Sequence, residues 1–282
     1  MSSGSLGDLG DFFPPGGEFS AKILIVTGTD TGVGKTIVTA ALAARGLAAG
    51  LRVAVLKPAQ TGTAAFSPGT EPGTEPSTTP GTTPGTEPSF GSGTEPSFGS
   101  GRFESVFQPA ETSDVDTVAR LVGPEVTCVT LAEYPDPLAP LAAAQVSGLA
   151  ELYLADVLEA TAKLVEQHDL VIIEGAGGVL VPMGFGGWTV ADLAVALRAP
   201  AIVVARAGLG TLNHTALTLE ALAARGIAAS VVIGAWPAAP ELVHERNRID
   251  LPGTILGVVP ENVGRLDRAT FRAEAPGWFT AG

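Results

Sequence analysis

Gly28-Thr29-Asp30-Thr31-Gly32-Val33-Gly34-Lys35-Thr36 constrains this chain more than any other stretch. It follows an apolar run, Ile23 to Val26, that reads as a buried strand, and it precedes Ile37 to Leu51, an alanine-rich run with good helix propensity. Strand, glycine-rich turn and helix in that order make a phosphate cradle. Glycines let backbone N–H groups turn inward with no Cβ in the way. The new helix offers its unpaired N–H groups and the positive end of its dipole. Lys35 is placed to reach the β- and γ-phosphates of a nucleotide, and the Thr36 hydroxyl to ligate Mg²⁺. The spacing departs from the strict G-x-x-x-x-G-K-[ST] pattern, because Thr29 holds the first glycine position and the glycine stands one residue earlier, at Gly28.

The rest of the chain alternates short apolar runs with helical patterns. Strands are expected at Arg52–Leu56, Val126–Leu131, Leu170–Ile173, Ala201–Val204, Ser230–Ile233 and Thr254–Val259. Helices are expected at Val115–Leu121, Leu149–Glu166, Val190–Leu197 and Leu212–Arg225. This alternation predicts an α/β fold with a mostly parallel β-sheet and helices on both faces. Ligands of such sheets lie beyond the carboxyl ends of the strands. Lys57, Glu174, Gly234 and Pro260-Glu261 stand at those expected ends, facing one crevice with the phosphate loop.

Two stretches are not expected to pack. Residues 1–20 read as a flexible leader, without the basic and apolar regions of a signal peptide. Residues 64–110 read as a low-complexity insert in a single domain spanning 21–282. From Ser67 to Gly101 only Ser, Pro, Gly, Thr, Glu and Phe occur, with Thr-Glu-Pro beginning at Thr70, Thr74, Thr86 and Thr94. Such a tract buries too little surface to offset its ordering entropy, and disorder is expected. About 215 residues remain, enough for one ordinary domain.

The net charge of −13 comes without a basic stripe, which argues against a nucleic-acid partner. Apolar runs fall short of the ~20 residues that a membrane span requires. One cysteine, Cys128, excludes an intrachain disulfide framework and suits a reducing cytoplasm. His168 and His244 give no metal-ligand spacing, and His214, a lone histidine, reads as structural or as a general base.

Several segments carry chemistry beyond the loop. Lys57-Pro58-Ala59-Gln60-Thr61-Gly62 puts a lysine after the second strand, where it can clamp developing negative charge or stand as a solvated surface residue. Glu174-Gly175-Ala176-Gly177-Gly178 puts an acid after an apolar run, a costly place unless the carboxylate is paired or bound to metal. Mg²⁺ takes one or two carboxylates beside phosphates and water, which suits Glu174. Asp114 and Asp116 open the helix after the insert; either caps it, or one completes a Mg²⁺ shell. Gly208-Leu209-Gly210-Thr211-Leu212-Asn213-His214 precedes another helix whose N–H groups can receive a carboxylate.

These segments, in this order, resemble the dethiobiotin synthetase family. The likeness runs from about Lys22 onward, interrupted by the insert, and includes the alternating prolines Pro135, Pro137 and Pro140. The resemblance implies a P-loop NTPase-like fold and a cytoplasmic homodimer of biotin biosynthesis. It implies 7,8-diaminononanoate, CO₂ and ATP or another nucleoside triphosphate as substrates, with Mg²⁺. CO₂ forms a carbamate on one amine, the γ-phosphate is transferred to it, and the second amine closes the ring and expels phosphate. Lys35, Lys57 and Thr31 correspond to the catalytic set. Thr31, Gly32, Val33, Gly34, Lys35 and Thr36 correspond to the triphosphate site, with Glu174, Gly175, Ala176 and Gly177 beside it. Gly234, Ala235, Pro260, Glu261 and Asn262 correspond to the nucleoside end. Thr36, Asp114 and Glu174 correspond to the metal ligands. Thr61 and Gly210, Thr211, Leu212 and Asn213 correspond to the substrate site, the last four receiving a carboxylate from the other subunit.

Two departures stand out. The insert enlarges a connection that is short in the family. Where better-known members carry an adenine-reading Asn, this chain has Gly234-Ala235-Trp236-Pro237, which predicts weak base selectivity. ParA/MinD-type switch ATPases share the loop topology, but Asp30 stands where their loop has a lysine. Cobyrinate amidotransferase-like ligases add a glutaminase domain, for which no length is left after Val263.

Overall fold

Period-two alternation along the strands sorts most apolar side chains into two large cores, one on each face of a sheet, with a smaller third cluster around Val231 and Ile233. The computed structural model describes residues 23–63 and 113–279; the expected leader and insert lie outside the described residues. The strands are β1 (Ile23–Gly28), β2 (Val53–Thr61), β3 (Thr127–Tyr134), β4 (Leu170–Gly178), β5 (Ala201–Ala205), β6 (Ala229–Trp236) and β7 (Ile255–Pro260). They form one seven-stranded sheet in the order β3-β2-β4-β1-β5-β6-β7, with every neighbouring pair parallel. The expected α/β architecture is the observed one.

The helices are α1 (Lys35–Ala48), α2 (Asp114–Val122), α3 (Pro140–Ser147), α4 (Leu154–Gln167), α5 (Val190–Leu197), α6 (Thr211–Ala223), α7 (Leu242–Asp250) and α8 (Arg268–Glu274). Leu24, Val26, Leu170, Ile172, Ile202 and Val204 pack with α1, α2 and α8. Ile25, Val171, Ile173, Ala201 and Val203 pack with α3, α4 and α5 on the opposite face. Each fully buried Ile, Leu or Val contributes about 1.5–3 kcal/mol of hydrophobic stabilisation.

The structure corrects several expected boundaries. β2 runs on through Lys57 to Thr61, and β4 through Glu174 to Gly178. Pairing with β3 carries the outer half of β2, from Lys57↔Thr130 to Thr61↔Tyr134. Lys57 and Glu174 therefore lie within strands rather than at their ends. The helix expected from Leu149 begins at Leu154, because Gly148 takes a left-handed conformation and ends α3. Helices α3, α7 and α8 were not expected. The first is short and largely small and apolar, and the other two are short and charged, so none has a clear 3.6-residue stripe.

Candidate active site

The phosphate loop joins β1 to α1. Gly34, the residue before α1, has φ +98° and offers no side-chain cap, and the first turn of α1 contains no acid. By contrast α2 is capped by the Ser113 hydroxyl, which accepts from the Asp116 N–H, and α5 by a Thr189–Asp192 capping box. A bare helix start keeps its N–H groups and dipole for an external anion. Gly34 also meets the end of β6. A Cβ on Gly34 would come within 2.8 Å of the Gly234 carbonyl oxygen, and a Cβ on Gly234 would overlap the Val33 carbonyl oxygen.

That interlock fits the expectation that Gly234 offers only backbone groups. It is buried against the loop and has no room for a base-reading side chain; Ala235, the next residue, is exposed. At the end of β7, the Glu261 N–H donates to the Trp236 carbonyl (2.8 Å) and its Oε1 accepts from the Ala238 N–H (2.9 Å). Pro260, Glu261 and Asn262 thus lie against the segment after Gly234, with Asn262 at φ +63°.

Lys57, Glu174, Asp114 and Thr36 converge beside the start of α1. Lys57 Nζ lies 2.6 Å from Asp114 Oδ2 and 3.0 Å from Glu174 Oε1, and it donates to the Gly175 carbonyl at 3.2 Å. The Thr36 hydroxyl is 2.7 Å from Asp114 Oδ1 and 3.0 Å from Glu174 Oε1, and its single hydrogen serves one of them at a time. Lys57 is 3 % exposed and Glu174 1 %, so of the two readings of Lys57 the solvated surface residue is ruled out, and the lysine is a buried ion-pair partner.

Alternation explains the meeting. Val55 pairs with Ile172 and Leu56 with Ile173, so Lys57 and Glu174 come next at the same level of adjacent strands. Val53, Val55, Leu170 and Ile172 belong to the core on the α1 side, and period two sends Lys57 and Glu174 to that same side.

Burial raises the Glu174 carboxyl above the ordinary carboxylate range, against the pull of Lys57. Burial also works against ionised Asp114, but the charge and hydrogen bond of Lys57, with Thr36 and Lys35, hold this carboxyl below its usual value. Lys57 is held above the usual lysine value because Glu174 and Asp114 outweigh its desolvation. Lys35 is pushed down, first by burial and then by repulsion from Lys57. Lys35 Nζ donates to the Asp30 carbonyl (3.0 Å).

Glu174 Oε2 is buried and has no hydrogen-bond partner. An orphaned carboxylate oxygen beside a hydroxyl and a second carboxylate is a hard, all-oxygen donor set that fits Mg²⁺. Among the described residues no three His, Cys, Asp or Glu side chains converge, so a cation here would have to draw on the Thr36 hydroxyl beside Asp114 and Glu174. Asp116 is engaged elsewhere, accepting from the Ser113 hydroxyl and N-capping with it.

The remaining expected residues divide. Thr61 ends β2, half-buried beside the site strand. Gly175 packs under α5, where a Cβ would come within 2.7 Å of Val190. Ala176 follows it half-buried, and Gly177 turns the chain with φ +66°. Gly210 caps α6 with φ +92°, again with no side-chain cap and no acid in the first turn. Thr211 is buried there, whereas Leu212 and Asn213 are exposed.

Two site-supporting residues escaped the sequence reading. Gln60 Oε1 accepts from the Asp114 N–H (3.2 Å), and Arg206 Nη2 donates to Asp30 Oδ2 (3.1 Å) and the Thr31 carbonyl (2.9 Å). Gln60 was legible only as part of the Lys57 segment. Arg206 had no signal beyond its place after the fifth strand.

A family model described as an AAA domain matches residues 22–265. The ATP-dependent dethiobiotin synthetase BioD of Rhodococcus jostii is 48 % identical over 264 residues, covering 92 % of this chain and 94 % of that protein. The protein of the same name from Streptomyces avermitilis is 44 % identical over 263 residues, covering 92 % of each chain. Among solved structures, the septum site-determining protein MinD of Pyrococcus horikoshii, complexed with Mg-ADP, matches at 14 % identity and a TM-score of 0.49, covering 91 % of this chain and 90 % of that one. Among the described residues no helix is long and apolar enough to cross a membrane.

Proposed function

The chain belongs to the ATP-dependent dethiobiotin synthetase family, and on that premise we propose that its phosphate loop and the Lys57–Asp114–Glu174 cluster carboxylate and cyclise 7,8-diaminononanoate. It is an ATP-dependent ligase of biotin biosynthesis by family. The observation that carries the assignment of residues is the convergence of Lys57, Thr36, Asp114 and Glu174 at the start of α1.

In this reading one amine of the diamine adds to CO₂ and loses a proton, giving a carbamate. A carbamate oxygen then attacks the γ-phosphorus, and the nucleoside diphosphate leaves. The second amine attacks the carbonyl carbon of the mixed anhydride, closes the ureido ring and expels phosphate. This sequence needs no nucleophilic side chain; positioning and charge stabilisation suffice. Lys57 supplies a fixed positive charge for the carbamate and the transferring phosphoryl group. Lys35 is pre-desolvated and ready to exchange the Asp30 carbonyl for phosphate oxygens. The amides of residues 31–36 hold the triphosphate, with Thr31 at the rim. Thr36, Asp114 and Glu174 would hold Mg²⁺, which when bound would neutralise phosphate charge. Glu174–Gly177, Gly234–Ala235 and Pro260–Asn262 frame the nucleotide, and Thr61 contacts the diamine.

The bare N-terminus of α6, Gly210 to Asn213, receives the substrate carboxylate. We assign this role to the loop of a second copy of the chain, and Leu209 and Leu217, 91 % and 57 % exposed beside it, supply apolar surface for such a contact. The test is phosphate release measured with diamine, bicarbonate, Mg²⁺ and ATP each omitted in turn. Release is expected only with all four present. Full release without diamine would overturn the reading in favour of a nucleotide-switched ATPase.

A further inference from the structure

We propose that Arg206 is a positioning residue of the phosphate loop, fixing the Thr31–Gly32 peptide so that its N–H faces the triphosphate. The inference rests on reading the loop as a nucleotide cradle. Arg206 follows β5, the strand beside β1, and its half-exposed side chain reaches over to the loop. Its Nη2 donates to two acceptors, Asp30 Oδ2 at 3.1 Å and the Thr31 carbonyl at 2.9 Å. The second bond does more than neutralise charge. A trans peptide is planar with its C=O and N–H pointing in opposite directions. Holding the Thr31 carbonyl toward Arg206 therefore turns the Gly32 N–H away from it. Among the described residues the backbone amides of Gly32, Val33 and Gly34 donate to no protein carbonyl.

Asp30 is tied in place by the same arrangement. Its Oδ1 accepts from the Thr31 N–H at 2.7 Å, while its carbonyl takes Lys35 Nζ at 3.0 Å. When Lys35 turns to phosphate, that last tether is released. The Thr29 N–H bond to the Val204 carbonyl (3.0 Å) and the Arg206 contacts then keep residues 29–31 on β5. An ion pair half exposed on both sides contributes little to global stability, so its effect belongs to local geometry. Gly32, at φ +68°, needs such an external hold because glycine does not restrict its own backbone.

The experiment compares wild type, Arg206→Ala and Arg206→Lys by calorimetric titration with Mg-ADP, by steady-state kinetics and by thermal unfolding. Arg206→Ala is expected to weaken ADP binding about tenfold and to raise KM for the nucleotide similarly. Its kcat should stay within about threefold, its KM for the diamine should not change, and its Tm should move by less than about 2 °C. Loss of a contact that binds ground and transition states equally moves KM and leaves kcat. Arg206→Lys keeps a donor and should recover part of the ADP affinity. ADP affinity within twofold of wild type in Arg206→Ala would overturn the inference while leaving the nucleotide reading intact. A hundredfold loss of kcat at unchanged KM would also overturn it, by making Arg206 a stabiliser of the transferring phosphoryl group. A wild-type protein that binds no ADP would overturn the cradle reading and the inference together.

Discussion

Lys57 of β2 and Glu174 of β4 stand side by side on the α1 face of the sheet, Nζ 3.0 Å from Oε1, almost wholly out of water. Two ionised groups there are stable only as a set, because each desolvated charge relies on the other and on Asp114. The same desolvation makes the ammonium effective against charge that develops during phosphoryl transfer.

Lys57→Ala should therefore fail twice. Turnover should fall by about 10²–10³, the cost of removing one fixed transition-state stabiliser. Stability should fall by about 3–5 kcal/mol at neutral pH, because Glu174 and Asp114 are left as uncompensated buried or half-buried acids. The checks are kcat/KM and the urea midpoint. A change of less than threefold in turnover would reduce Lys57 to a structural ion pair.

Gly234→Ala tests the interlock with the phosphate loop. The added methyl overlaps the Val33 carbonyl oxygen and comes within 2.5 Å of Val204, so the loop or the strand must shift. Overpacking of this kind costs about 1–3 kcal/mol. Nucleotide affinity should drop at least tenfold, measured by titration with Mg-ADP. Unchanged affinity would mean that the loop can ride over β6 freely.

Nucleotide choice should be loose. Gly234 cannot carry a base-reading side chain, and the Ala235 side chain has no hydrogen-bonding group. A site without a specific side-chain partner rejects the wrong base poorly. CTP or GTP should support turnover within about tenfold of ATP, under ~1.4 kcal/mol of discrimination. Comparing kcat/KM for the four nucleotides at saturating diamine settles it; a hundredfold preference for ATP over all others would require a reader elsewhere.

Deleting Ser67 to Gly101 should leave activity within about twofold. The composition of the tract supports no core, and loop-closure entropy changes slowly with length. Asp114 is held by Lys57, Thr36 and Gln60 across the site, so its placement does not depend on the length of that connection. Loss of activity with an unchanged Tm would assign the tract a part in the site.

Cys128 should resist alkylation. Burial, and secondarily the charge of Asp116, push its thiol up to about 11. At pH 8 the folded protein should react with iodoacetamide at least about tenfold more slowly than the urea-unfolded chain, because the thiolate is the nucleophile. The folded-state value lies above the unfolded one, so this thiol's contribution to stability is complete below about pH 8.5 and is lost as pH rises through about 11. Fast labelling of the native protein at pH 8 would contradict the burial.

Local chemistry made the strand–loop–helix unit readable. A short apolar run, glycines and a Lys-Thr pair leave few other solutions. The strands were readable for the same reason, since buried parallel strands are unbroken apolar runs. Their ends were not. Residues 57–61 and 174–178 are polar or small, and only pairing with β3 and β1 keeps them extended. The apolar run before it marked Glu174 as a costly acid, and its expected strand end marked Lys57, but nothing local states that they adjoin each other. That follows from the placement of β4 between β2 and β1, which is a property of the assembled sheet. The choice of Asp114 over Asp116 is likewise tertiary. Both open the same helix, and only the packing of α2 against α1 turns one carboxylate to Thr36 and leaves the other to Ser113. Gly234 is the clearest case. One residue reads as an absent side chain in the sequence and as a close backbone approach in the fold, because contact between β6 and the phosphate loop joins residues two hundred positions apart.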